Sequence, residues 1–166
     1  MIRPSSLLLV LAGPASAEIV GPAAPTPAAA RVMEGYARTC ADEEAGDLVV
    51  APEAYRPADL DGDGAEDDLV IDMAHAHCRL ALTLWAGSGG APLHFVVDEV
   101  GASWFGANWQ LVDVAPPAEE GEAPGPPLRA ILMAQHGSLC DSYGAAPCLR
   151  AIVWDGAAFV SLPGPE

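Results

Sequence analysis

The spacing of hydrophobic positions changes character along this chain, and each change predicts a different element. Residues 6–12, Ser-Leu-Leu-Leu-Val-Leu-Ala, form a short uninterrupted apolar run. Between residues 27 and 44, Val32, Met33, Tyr36, Ala37 and Cys40 recur at helical spacing, while Arg31, Glu34 and Arg38 fall mostly on the other side, which predicts one amphipathic helix. Thr26 is placed to cap it, Pro27 suits its first turn, and Gly46 can stop it. Beyond that point the period shortens. Runs at 48–50, 54–56, 69–73, 79–85, 93–97, 109–114 and 128–135 read as strands. In 79–85, Leu80, Leu82 and Leu84 alternate onto one face, and the glycines at 87, 89 and 90 predict a hairpin with 93–97. Residues 148–154 and 157–162 flank Asp155-Gly156, which suits a two-residue type I′ turn. The fold expected is α+β: one N-terminal helix packed on a mainly antiparallel sheet or small barrel of about seven or eight strands.

Segments outside these elements divide the chain. Arg3, the apolar run, the breakers Gly13 and Pro14, and Ala15-Ser16-Ala17 occur in the order of a secretory signal peptide with a small-x-small cleavage site. The run is much shorter than the ~20 residues a membrane span needs. Residues 1–17 are therefore expected to be a signal peptide, 18–26 a flexible lead-in, and 27–166 a single domain in a periplasmic or secreted protein. Residues 115–127 are polar and Pro-rich and read as a loop. Cys40, Cys78, Cys140 and Cys148 all follow the leader and fit disulfides in an exported domain. Four cysteines allow three pairings; Cys140–Cys148, closing a short Gly/Pro-containing loop, and Cys40–Cys78 are favoured.

Charge narrows the function classes. The 166 residues carry 7 cations, all Arg, against 23 acids, a formal net charge of −16. Such a chain lacks the basic face needed to neutralise nucleic-acid phosphates, and it repels anionic lipid. With 51% hydrophobic residues it is not a disordered acidic tail.

Six of the acids lie in ten residues, Asp59-Leu60-Asp61-Gly62-Asp63-Gly64-Ala65-Glu66-Asp67-Asp68. Carboxylates at alternating positions can turn inward around an ion, and oxygen-only ligands suit Ca²⁺. The segment resembles the D-x-D-x-D-G loops of calcium-binding proteins, both the EF-hand and the FG-GAP type. The likeness covers about a dozen residues. A β run follows where the EF-hand has a helix, so the loop is more similar to the FG-GAP type. The resemblance implies Asp59, Asp61, Asp63, the Ala65 carbonyl and Asp67 as ligands of a structural Ca²⁺. Val70 stands at position 12, where the EF-hand has a bidentate Glu, and the expected dissociation constant is ~10⁻⁴–10⁻³ M. With the late Cys-x7-Cys segment ending in Trp-Asp-Gly-x-x-Phe, the loop also resembles small exported bacterial proteins of unassigned function, which implies no activity.

Other residues are weaker candidates. His75 and His77 with His94 or His136 would suit a transition metal, but nothing in the spacing brings them together, and ordinary polar positions explain them. Ser138 lacks the second Gly of a nucleophile elbow. Trp85, Trp104, Trp109 and Trp154 mostly suit a core; Trp104 and Phe105, in a stretch (103–106) read as lying between strands, are the best contact surface. The reading is an exported, non-catalytic binding or accessory protein with a structural Ca²⁺ loop and an unidentified protein partner. Its alternatives are an acidic inhibitor of a basic exported enzyme and a small exported hydrolase.

Overall fold

The computed structural model describes residues 16–114, 127–140, 143 and 146–162. The apolar leader and nearly all of the Pro-rich loop lie outside the described residues. The helix, α1, spans Pro27–Asp42. The Thr26 hydroxyl accepts the Ala29 N–H at 3.1 Å, satisfying one of the donors that every helix start leaves open. Met33, Ala37 and Cys40 form its buried stripe.

Ten strands among the described residues form two sheets, more than the seven or eight expected, and neither sheet closes into a barrel. The smaller sheet joins β1 (Ile19–Val20), β2 (Leu48–Val50) and β5 (Ala76–Cys78). The segment read as a flexible lead-in thus contains a strand, β1, which runs parallel to β2. The larger sheet is antiparallel throughout and has the order β10-β9-β8-β7-β6-β4-β3. Its members are β3 (Tyr55–Ala58), β4 (Asp68–Asp72), β6 (Ala91–Val97), β7 (Val100–Val114), β8 (Leu128–Gln135), β9 (Cys148–Trp154) and β10 (Phe159–Ser161).

Two cores lie on opposite faces of β4 and β6. One packs α1 and the small sheet against Leu69, Ile71 and Val96; the other gathers Val70, Leu93 and Phe95 with Ile131, Met133, Ile152 and Phe159. All five residues of β4 are buried, as in a strand covered on both faces. The second core shows that the large sheet curls over itself. Phe95 on β6 and Phe159 on β10 have ring centroids 5.8 Å apart. Four strand spacings would put them about 19 Å apart in a flat sheet.

Strand β7 makes the corner. Its first half pairs with β6 and its second half with β8, and the register shifts between Ala107 and Gln110. Asn108 there has a left-handed φ of 51°. A Cβ on Gly106 would sit 2.8 Å from the Ala134 carbonyl oxygen, so the sheet can fold this tightly only over a glycine. Residues 103–106 are therefore part of a strand and not the expected inter-strand surface.

Three other expectations change. Residues 79–85 are not a strand, and Leu80, Leu82 and Leu84 are 75%, 65% and 41% exposed. Both ends of that segment are held close together: Cys78 is disulfide-bonded to Cys40, and the Trp85 indole donates to the carbonyls of Met73 and Ala76. Seven residues between such anchors must loop. Strand β6 consequently pairs with β4 and β7, not with 79–85. The β9–β10 hairpin exists, but Phe159 pairs with Trp154 across a four-residue connection. There the Asp155 carboxylate accepts the N–H groups of Ala157 and Ala158, which favours the longer loop over a type I′ turn.

Both favoured disulfides are present, Cys40–Cys78 and Cys140–Cys148, with Cα separations of 5.5 and 6.4 Å. Cys40–Cys78 ties α1 to β5 across 38 residues. Closing a loop of that length in the unfolded chain corresponds to about 4 kcal/mol. The Cys40→Ala/Cys78→Ala variant should therefore lose stability of that order in urea unfolding, and a midpoint unchanged from the parent would show that the bridge constrains nothing.

Candidate metal centre

The acidic loop connects β3 to β4, and one apolar residue sets its shape. Leu60 is 1% exposed and plugs the second core, which draws the flanking carboxylates inward. Asp59 and Asp68 are themselves buried. Gly62 and Gly64 have φ of 82° and 94°, which lets the chain reverse around Asp63 without the strain a side chain would bring.

Asp59, Asp61 and Asp68 each offer one carboxylate oxygen such that the three lie within 4.8 Å of one another. Ligands 2.3–2.6 Å from a common Ca²⁺ are separated by at most about 5.2 Å, so the spacing fits a single cation. The loop backbone holds the carboxylates in place. Asp59 Oδ1 accepts the Gly62 N–H at 2.7 Å, Asp61 Oδ1 accepts the Asp63 N–H at 3.0 Å, and Asp68 Oδ2 accepts the N–H groups of Leu60 and Asp61 at 2.8 and 3.2 Å. Asp61 and Asp68 each keep a second oxygen clear of those bonds. Burial pushes the Asp68 carboxyl above its ordinary value; the two N–H bonds oppose this, and the negative charges of Asp61 and Asp67 reinforce it. The Asp59 Oδ2 lies 3.4 Å from the Arg129 guanidinium, whose Nε is also 3.2 Å from Asp113.

Two of the five expected ligands, Asp59 and Asp61, join this group. Asp63, Ala65 and Asp67 are exposed and lie outside it, and the Asp63 carboxylate accepts the Ala65 N–H at 2.7 Å. Asp68 was not anticipated. Its signal lies in the period of two: Asp68, Val70 and Asp72 share one face of β4, and a buried face that opens on an acid requires partners for it.

The histidines are dispersed. His75 is exposed in a turn, and His77 lies on β5 opposite Val49. His94 Nε2 is 3.0 Å from the Tyr36 hydroxyl, beneath a cleft of about 330 Å³ between α1 and the β6–β7 hairpin. Burial raises Tyr36 from 10.0 to about 12 and lowers His94 from 6.5. His136 Nδ1 is 2.7 Å from the Ser138 hydroxyl, a nucleophile–base distance, but among the described residues no carboxylate orients that imidazole. The four tryptophans go mainly to packing. Trp104, Trp109 and Trp154 border the second core and Trp85 the first.

The fold and site define a disulfide-bonded α+β domain with an aspartate triad able to hold a metal ion. No family model matches the chain, and neither curated proteins nor solved structures yield a match. The disulfides fit an oxidising, non-cytoplasmic compartment. Among the described residues no helix is long and apolar enough to cross a membrane.

The His94–Tyr36 pair has a consequence for pH. Because the folded state holds His94 below 6.5, the unfolded chain binds its proton first on acidification, and stability falls as pH drops below 6.5. A His94→Gln variant can keep the contact with Tyr36 without titrating. Its unfolding free energy should decline less than the parent's between about pH 7 and 5.5, and parallel profiles would remove His94 as the cause.

Proposed function

We propose that this protein is an exported, non-catalytic binding or accessory domain whose β3–β4 loop holds Ca²⁺ as a structural ion, in the periplasm or outside the cell. The observation that carries the ion is the approach of one oxygen each from Asp59, Asp61 and Asp68 within 4.8 Å. Oxygen-only donors on a hard carboxylate loop favour Ca²⁺ over softer transition metals. The loop is also preorganised, since Leu60 anchors it and backbone N–H groups already fix the three carboxylates. Three carboxylates supply only part of a shell of six to eight oxygens. Water and the exposed oxygens of Asp63, Ala65 and Asp67 would complete it.

The role is structural because of where the loop sits. It joins β3, at the edge of the large sheet, to its neighbour β4, which is paired on both sides, and its Asp59 meets Arg129 on β8. Neutralising the loop would relieve repulsion among six acids where the two arms of the curled sheet meet. Two disulfides support export, and the acidity suits a soluble exported domain.

Thermal unfolding with and without chelator tests this reading. At ~10 mM Ca²⁺, about 100 times a dissociation constant of ~10⁻⁴ M, binding adds about 2.7 kcal/mol. The melting temperature should rise with Ca²⁺, less with Mg²⁺, and the response should vanish in Asp61→Asn and Asp68→Asn. A melt indifferent to both chelator and Ca²⁺ would sink the ion.

A further inference from the structure

The curled sheet leaves a seam where β3 faces the second half of β7, and one stacked pair stands in it. The Arg56 guanidinium lies 4.4 Å from the centroid of the Trp109 ring. Trp109 is fixed in turn, because its indole N–H donates at 3.0 Å to Asp72, a buried carboxylate whose other oxygen accepts the Ala74 N–H. The bulge at Asn108 is what aims the ring, since it resets the facing of β7 one residue earlier. Two depressions flank the stack, and both are lined by Arg56 and Trp109. The larger, about 510 Å³, is also lined by Asp59, Gln110 and Arg129; the smaller, about 290 Å³, by Asp72 and Asn108.

We propose that this seam groove binds a neutral saccharide, with a sugar ring against Trp109 and its hydroxyls shared among the flanking guanidinium, carboxylate and amide groups. The chemistry follows from what the groove offers. Hydroxyl groups both donate and accept, so they need donors and acceptors side by side. Here Arg56, Arg129, Asn108 and Gln110 share the lining with Asp59, Glu66 and Asp72 beside the Trp109 indole. The C–H face of a sugar ring suits the electron-rich face of an indole. A net charge of −16 disfavours an anionic ligand, and each depression is lined by equal numbers of arginines and acids, Arg56 and Arg129 with Asp59 and Glu66 in the larger and Arg56 with Asp72 in the smaller, which favours a neutral one. Arg56 is exposed on a flexible stem and can swing from the ring to a ligand hydroxyl. The stacked pair and its anchor, Trp109, Arg56 and Asp72, lie outside the Asp59–Asp61–Asp68 group, although Asp59 also borders the larger depression.

Titration followed at the Trp109 indole N–H resonance tests it, using the full chain after removal of any leader. The probes are cellotriose, maltotriose, chitotriose and mannotriose, with trigalacturonate as the acidic comparison. At least one neutral trisaccharide should shift that resonance saturably. By calorimetry, Trp109→Ala should weaken the same sugar roughly tenfold or more. Because Trp109 also packs on the core, Arg56→Ala is the second variant: its fold should be intact and its affinity for that sugar changed severalfold. The proposal is overturned if no neutral trisaccharide moves the resonance at ~20 mM, a concentration above the millimolar range of weak binding. It is equally overturned if trigalacturonate binds more tightly than every neutral sugar, or if both variants bind like the parent.

Discussion

The close approach of β7 to β8 at Gly106 is the constraint from which the rest of the molecule follows. A side chain there would meet the Ala134 carbonyl and the Met133 sulfur, so the corner exists only because the position is bare. The bulge that follows lets one strand serve both arms of the sheet. Curling then brings Phe159 over Phe95 and builds an apolar core inside a single sheet. The same curl sets β3 near β7 and β8, which places Arg56 over Trp109 and Asp59 beside Arg129. Both candidate sites therefore lie along one seam; the aspartate group is built within the β3–β4 connection itself, whereas the Arg56–Trp109 stack and the Asp59–Arg129 contact require the curl.

The outer face of β4 and β6 is covered differently. There α1 and the small sheet pack over Leu69, Ile71 and Val96, and Cys40–Cys78 ties the helix to β5. The covalent link lies where packing is made by small residues, Ala28, Ala29, Ala37, Ala45, Ala54 and Ala76. Small side chains bury little apolar area each, at about 25 cal/mol per Å², so a cross-link adds most in this layer. The inner core of Phe, Ile, Met and Leu holds no cysteine among the described residues.

Much of this was legible in the sequence, and the failures have physical causes. The helix was expected at 27–44 and spans Pro27–Asp42, because its apolar stripe and its Thr26-Pro27 start both depend on neighbours three or four residues away. The pairing of Cys140 with Cys148 was favoured because it closes a short loop, whereas Cys40 and Cys78, 38 residues apart, carried no such local signal. Residues 79–85 misled because Leu80, Leu82 and Leu84 alternate like a strand, whereas the path of that segment is set by distant anchors at Cys40, Met73 and Ala76. The stretch 103–106 was read as lying between strands, but it belongs to β7, where Gly106 and the bulge at Asn108 serve the bend of a continuous strand. At the site, the D-x-D spacing found Asp59 and Asp61. It could not find Asp68, whose place comes from cross-strand pairing with Ala58 and not from position along the loop.

Arg129 connects the electrostatics of the two sites. Its guanidinium reaches Asp59 at 3.4 Å and Asp113 at 3.2 Å, and its Nε is buried without an aligned hydrogen bond. A buried donor left this way costs free energy, so Arg129 is held by net charge more than by directional bonding. It is a tethered cation beside a loop of six acids, and it offsets part of the repulsion that an ion would otherwise have to relieve. A divalent ion between Asp59, Asp61 and Asp68 would draw on the same Asp59 carboxylate and leave Asp113 as the remaining anchor for Arg129. Because Arg129 also lines the larger depression beside Trp109, the charge presented to the groove depends on how Asp59 divides itself between guanidinium and metal. In a chain with only seven cations, the placement of one arginine thus sets the field of both sites.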